Sequence, residues 1–187
     1  MAAGRKSKQI CGTVGPMIPL ADWNALSPAE AEREALACCA APAWATTLAK
    51  ERPFPTVGEV LDTSDRVLGG LGWADLRPAL DAHPRIGERA GGGSTEAQWS
   101  RREQSAVATT DARTQELLRT RNAEYERRFG HVFLIRAAGR SAEEMLAELD
   151  RRLGNDEARE RAEVTEQLAQ ITRLRVETLL TDRHPNL

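Results

Sequence analysis

The 187-residue chain is long enough for one compact domain with short tails, and too short for two domains of ordinary size. Its 41% apolar and 29% charged residues exclude an intrinsically disordered chain, and no uncharged apolar run approaches the ~18 residues of a transmembrane helix. With 26 basic against 28 acidic side chains there is no net field to gather nucleic acid or an anionic membrane.

The N-terminal stretch carries Arg5, Lys6 and Lys8 but lacks the apolar run of a secretory signal, so residues 1–19 are expected to form a disordered tail. Ser27-Pro28-Ala29-Glu30 reads as a capping box with proline at the first helical position, and it opens a helix from about Pro28 to Ala40. Pro42 breaks that helix. A short second one runs from Ala43 to about Lys50, and Arg52-Pro53-Phe54-Pro55 is a rigid extended connector, because the residue before each proline is pushed out of the helical region. A third helix from about Val57 to Leu68 is ended by Gly69, Gly70 and Gly72, and a fourth runs from Trp73 to Ala82 and stops before Pro84.

Gly91-Gly92-Gly93-Ser94 is a turn leading into a helix from about Thr95 to Thr109, followed by another from about Asp111 to Phe129. Val132-Phe133-Leu134-Ile135 has the composition of a strand but no second strand to pair with, so it is expected as a buried extended segment. Ser141-Ala142-Glu143-Glu144 is a second capping box, and its helix reaches about Leu153. Asn155 or Asp156 can cap the long final helix, which ends near Leu180. β-alternation is nearly absent. The expected fold is therefore all-α, a single-domain bundle of about eight helices over residues 20–182, with 183–187 as a C-terminal tail.

Three cysteines, Cys11, Cys38 and Cys39, and three scattered histidines, His83, His131 and His184, form no spacing that a metal site uses, so no metal and no cofactor is expected. Two inward charges stand out instead. In the final helix the apolar stripe runs through Val164, Leu168, Ile171 and Leu179, and Arg175 lies about 40° from Ile171, whereas Arg173 lies about 200° away. Glu103 falls four residues after Trp99 on the face that Ala106 and Val107 define. A buried Arg–Glu bridge tying two helices would account for such a pair, and a lone histidine before proline is commonly a surface turn residue. His83, held at a helix exit by Pro84 and so away from a packed interior, could also join those two charges as a proton carrier.

These residues fall in a pattern: His83-Pro84-Arg85-Ile86-Gly87-Glu88, Ser100-Arg101-Arg102-Glu103-Gln104, Asn122, Tyr125, Phe129-Gly130 and Leu174-Arg175, with Trp44 and Arg52-Pro53-Phe54 upstream. The pattern resembles the OHCU decarboxylases, which act on 2-oxo-4-hydroxy-4-carboxy-5-ureidoimidazoline in urate degradation, and it covers roughly Leu20 to Leu180. The resemblance implies His83, Glu103 and Arg175 as catalytic and substrate-holding residues, with Pro84, Ser100 and Gln104 lining the site. It also implies that the backbone amides of Phe133, Leu134 and Ile135 hold the ring. Arg85 stands where many members carry an acidic residue, and His131 replaces a bulky aromatic.

The implied activity is a cofactor-independent decarboxylation giving (S)-allantoin and CO2. Its partner is the small ureidoimidazoline, with no nucleic acid or membrane, and a homodimer is the candidate assembly. The chain ends in Pro185-Asn186-Leu187 and not in a Ser-Lys-Leu peroxisomal address, so a bacterial-type cytoplasmic protein is expected. The competing expectation is a non-catalytic helical interaction module of the same fold, which would call for His83 turned outward.

Overall fold

The computed structural model describes residues 17–87, 99 and 110–181. The capping grammar does not announce the first helix, α1 (Leu20–Ala25), which has no side-chain cap and is held by burial of Leu20 and Trp23. In α2 (Pro28–Cys38) the capping box forms as read: Glu30 N–H donates to Ser27 Oγ, and Ser27 N–H donates to Glu30 Oε2 at 3.0 Å. Pro42 does more than break a helix. It is the first residue of α3 (Pro42–Lys50), where its missing N–H is one that no helical carbonyl would have accepted.

α4 (Val57–Gly70) runs through Gly69 and Gly70, which were expected to end it. Glycine there weakens helix propensity without forbidding the geometry, and the chain leaves the helix only at Leu71. α5 (Trp73–Ala82) stops where Pro84 requires, with His83 extended at φ −82°, ψ 134°. α6 (Ala112–Phe129) is capped by Asp111 and closed by Gly130 at φ +72°, a left-handed turn for which glycine is suited. α7 (Ala142–Arg152) starts at the second capping box. Asp156, not Asn155, caps α8 (Glu157–Leu179) by accepting the Arg159 N–H at 2.8 Å. The helix expected over Thr95–Thr109 lies outside the described residues except at Trp99, which is helical.

The described helices form an all-α domain, as expected, with one addition that the sequence hides. Ile18–Pro19 (β1) pairs in parallel with Leu180–Thr181 (β2), in the register Ile18 to Leu180 and Pro19 to Thr181. The tail expected up to residue 19 is therefore tied into the domain from Ile18. A two-residue pair carries no alternation to read, and only the fold brings the two chain ends together.

Two apolar cores result. The larger gathers α1 to α5 and α8 around Trp23, Trp44, Leu48, Leu68, Leu80, Leu168 and Ile171. The smaller joins α6 and α7 through Leu118, Tyr125, Phe133, Ile135, Met145 and Leu149. Leu134 belongs to the first and its neighbours Phe133 and Ile135 to the second, so this extended segment marks the seam. The connector after α5 crosses the same way, from Leu80 in the first core to Ile86 in the second. No described helix is long and apolar enough to cross a membrane.

Candidate active site

His83 sits at the exit of α5 as read, but its side chain is buried, with 8% of the residue exposed. Proline sets the backbone direction and says nothing about what covers the ring, and here the connector runs between two cores. The imidazole folds back so that Nδ1 lies 2.6 Å from the Ala79 carbonyl oxygen. A carbonyl only accepts, so the Nδ1 that meets it carries a proton, and Nε2 is itself buried.

The connector that carries His83 and Pro84 is fastened to α6 twice. Asn122 Nδ2 donates to the Ile86 carbonyl at 3.0 Å inside the protein, and Arg85 forms a two-pronged pair with Glu126, Nε to Oε1 at 2.6 Å and Nη2 to Oε2 at 2.8 Å. Arg85 thus meets an acidic partner on α6. Gly87 closes the connector at φ +88°, where a side chain would be strained. Replacing Asn122 with leucine should cost about 1–3 kcal/mol in urea denaturation, because the buried Ile86 carbonyl loses its donor. Arg85→Ala should change stability by under about 1 kcal/mol, since that pair is half exposed.

Arg175 is withdrawn from solvent completely, as its place on the stripe of α8 requires, whereas Arg173 reaches out to Asp65 at 2.6 Å. Arg175 Nη1 donates to the Cys38 carbonyl at 3.3 Å, at the C-terminal end of α2, where aligned peptide dipoles place partial negative charge. The Cys38 thiol beside it is pushed up to about 12 by burial, with the guanidinium opposing, so it stays protonated. Cys38 is a core residue.

Phe133, Leu134 and Ile135 are buried and extended, with no strand partner among the described residues. Their amide N–H groups donate no hydrogen bond among the described residues. The Leu134 carbonyl, by contrast, accepts from Arg152 Nη1 at 2.7 Å. Pro84, beside His83, is partly buried. Ser100, Glu103 and Gln104 lie outside the described residues; Trp99 just before them packs on the larger core. His131 is buried edge-on to Tyr125 and Trp73, with Nδ1 3.0 Å from the Val132 carbonyl, and desolvation holds its pKa below the ordinary histidine value.

The sequence reading missed a buried polar cluster around Arg152 and Glu160, with Tyr125 and Asn155. The signal was present: Arg152 follows Ala142, Met145 and Leu149 on one stripe, and Glu160 stands four residues before Val164 on the stripe that carries Arg175.

The described residues thus hold a guanidinium and an imidazole away from water, and an extended segment whose amides make no hydrogen bond among the described residues. The family profile described as OHCU decarboxylase matches residues 24–177, and the chain belongs to the OHCU decarboxylase family. It is 31% identical over 156 residues to the uric acid degradation bifunctional protein TTL of Arabidopsis thaliana, an alignment covering 81% of this chain. The chain spans 48%, about half, of that relative's length. It is 28% identical over 141 residues to the 2-oxo-4-hydroxy-4-carboxy-5-ureidoimidazoline decarboxylase of Amia calva, covering 74% of this chain and 81% of that protein. A crystal structure of OHCU decarboxylase in the presence of (S)-allantoin superposes with a TM-score of 0.69 at 28% identity, covering 78% of this chain and 96% of that one. A crystal structure of (S)-allantoin synthase, 15% identical, shares the fold with a TM-score of 0.67 over 87% of this chain and 54% of the other.

Proposed function

We propose that this protein decarboxylates 2-oxo-4-hydroxy-4-carboxy-5-ureidoimidazoline to (S)-allantoin and CO2 in urate degradation, without metal or organic cofactor. The observation that carries this reading, in a chain of this family, is the burial of Arg175 together with a buried His83 whose Nδ1 is committed to a carbonyl. A non-catalytic module called for His83 turned outward, and the imidazole is inward.

The chemistry needs no external electron sink. The carboxylate and a hydroxyl share one ring carbon beside a C=N bond. When the carbon–carboxylate bond breaks, its electron pair forms a ring C=C bond and the imine nitrogen takes a proton. The enol hydroxyl then becomes the carbonyl as the neighbouring carbon accepts a proton on one face. The protein must hold the carboxylate out of the ring plane, stabilise the enol-like intermediate and deliver that proton stereospecifically.

In this reading the Arg175 fork, fixed by the Cys38 carbonyl, engages the acidic edge of the substrate in two bonds. His83 Nε2 handles the proton with Glu103 as its partner, and Pro84, Ser100 and Gln104 line the cavity. The amides of Phe133 to Ile135 donate to the ring. No membrane or nucleic acid takes part; the reading extends to a cytoplasmic protein that assembles as a homodimer.

The test is to follow circular dichroism at allantoin wavelengths in a mixture of urate oxidase, hydroxyisourate hydrolase and this protein. Spontaneous decay gives racemic allantoin, so an (S)-signal that grows with added protein is the expected result, and a racemic product at every protein concentration overturns the reading. A chelator should leave the rate unchanged. Loss of activity that a divalent ion restores would refute the metal-free part.

A further inference from the structure

The buried cluster around Arg152 lies outside the residues that the decarboxylation uses. Arg152 is 1% exposed and Glu160 is fully buried, although isolated charges resist burial at that depth. Arg152 Nε donates to Glu160 Oε1 at 2.9 Å, and Nη2 reaches the same carboxylate and, at 3.3 Å, the Tyr125 hydroxyl. Tyr125 in turn donates to Glu160, and Asn155 Nδ2 donates to Glu160 Oε2 at 2.7 Å. The guanidinium lies 4.8 Å from the centre of the Phe133 ring. Held on every side, it has one nitrogen left for the backbone, and Nη1 takes the Leu134 carbonyl at 2.7 Å.

That contact fixes more than a carbonyl. The peptide unit is planar and trans, so the Leu134 C=O and the Ile135 N–H belong to one rigid plane and point in opposite directions. Gripping the oxygen from the Arg152 side therefore aims the Ile135 N–H away from the cluster. The next peptide is pinned as well, since the Arg136 N–H donates to Gln167 Oε1 on α8 at 2.9 Å. Between these two anchors the Ile135 N–H makes no hydrogen bond among the described residues.

We propose that Arg152, clamped by Glu160 and Tyr125, is a positioning residue that holds the Leu134–Ile135 peptide so that the Ile135 N–H donates to the substrate ring. This rests on the reading that the 133–135 amides hold that ring. An ordinary apolar packing of Leu134 would leave the peptide plane free to rock. A charge-assisted bond from a guanidinium that cannot turn removes that freedom before substrate arrives. The cluster acts only through the backbone and touches no reacting atom.

The test uses protein labelled with 15N-isoleucine, whose five isoleucines give a small set of amide signals; Ile135→Val identifies the one at 135. Titration with (S)-allantoin should move the Ile135 signal saturably in the parent. In the double variant Arg152→Gln/Glu160→Gln, which removes both charges together, that shift should shrink and KM should rise about tenfold, the value of one good hydrogen bond, with kcat changing far less. Arg152→Lys, which keeps one donor near Leu134, should recover part of the shift and of KM. Tyr125→Phe keeps both charges and loosens the clamp, so it provides the same reading if the double variant fails to fold, with an expected KM rise of about threefold. A parental Ile135 shift and parental KM in variants that merely melt earlier would show a structural bridge and overturn the proposal. An Ile135 signal that (S)-allantoin leaves unmoved in the parent overturns it too, while (S)-allantoin formation by the parent judges the decarboxylase reading separately.

Discussion

Asparagine in place of His83 should lower turnover in (S)-allantoin formation by about 100-fold or more, the usual worth of a positioned proton carrier. The substitution separates the two ring nitrogens. An asparagine amide can still donate to the Ala79 carbonyl, which His83 Nδ1 meets at 2.6 Å, but it offers nothing where Nε2 stood. Because the imidazole is buried, a folding cost of about 1 kcal/mol is expected from lost ring contacts, small beside the kinetic loss. Steady-state kinetics and a thermal melt on the same preparation decide the matter. A variant that makes (S)-allantoin at the parental rate would show His83 to be a buried turn residue and nothing more.

The second large effect is expected at Arg175. Arg175→Ala should reduce kcat/KM by about 1,000-fold, because truncating one side of a desolvated charged contact costs several kcal/mol. Arg175→Lys should still lose about 10-fold to 100-fold, since an ammonium keeps the charge but not the planar fork that meets a carboxylate or imide in two bonds. Arg173→Ala is the comparison within the same helix. Its guanidinium is partly solvated and paired with Asp65 at 2.6 Å, so activity should stay near parental and stability should move by under about 1 kcal/mol. Equal small losses at the two positions would remove the basis for treating the buried arginine as the anion holder.

The helix face that separates these two arginines was legible in the sequence, because 100° per residue is a property of the backbone and Ile171 fixes the phase. The capping boxes at Ser27 and Ser141, the stop imposed by Pro84 and the extended, unpaired run from Val132 to Ile135 were legible for the same reason: each follows from covalent geometry or from groups within a few residues of one another. The motifs at His83-Pro84, Ser100 to Gln104 and Leu174-Arg175 together indicated the family.

Burial and pairing between distant residues were decided only by the tertiary structure. His83 could be placed at a helix exit from Pro84 alone, but its enclosure depends on two cores meeting across the connector. Arg151 stays outside with Glu148, while Arg152, one residue and about 100° further on, goes in to Glu160; the stripe of α7 gives the side on which Arg152 leaves its helix but not the carboxylate that it meets. The parallel pair between Ile18–Pro19 and Leu180–Thr181 has no local signal at all. Local geometry sets which way a side chain leaves its own helix. Whether it then meets water, a carboxylate or the backbone of a remote segment depends on how the helices pack, and that is a sum over contacts that no window of neighbouring residues contains.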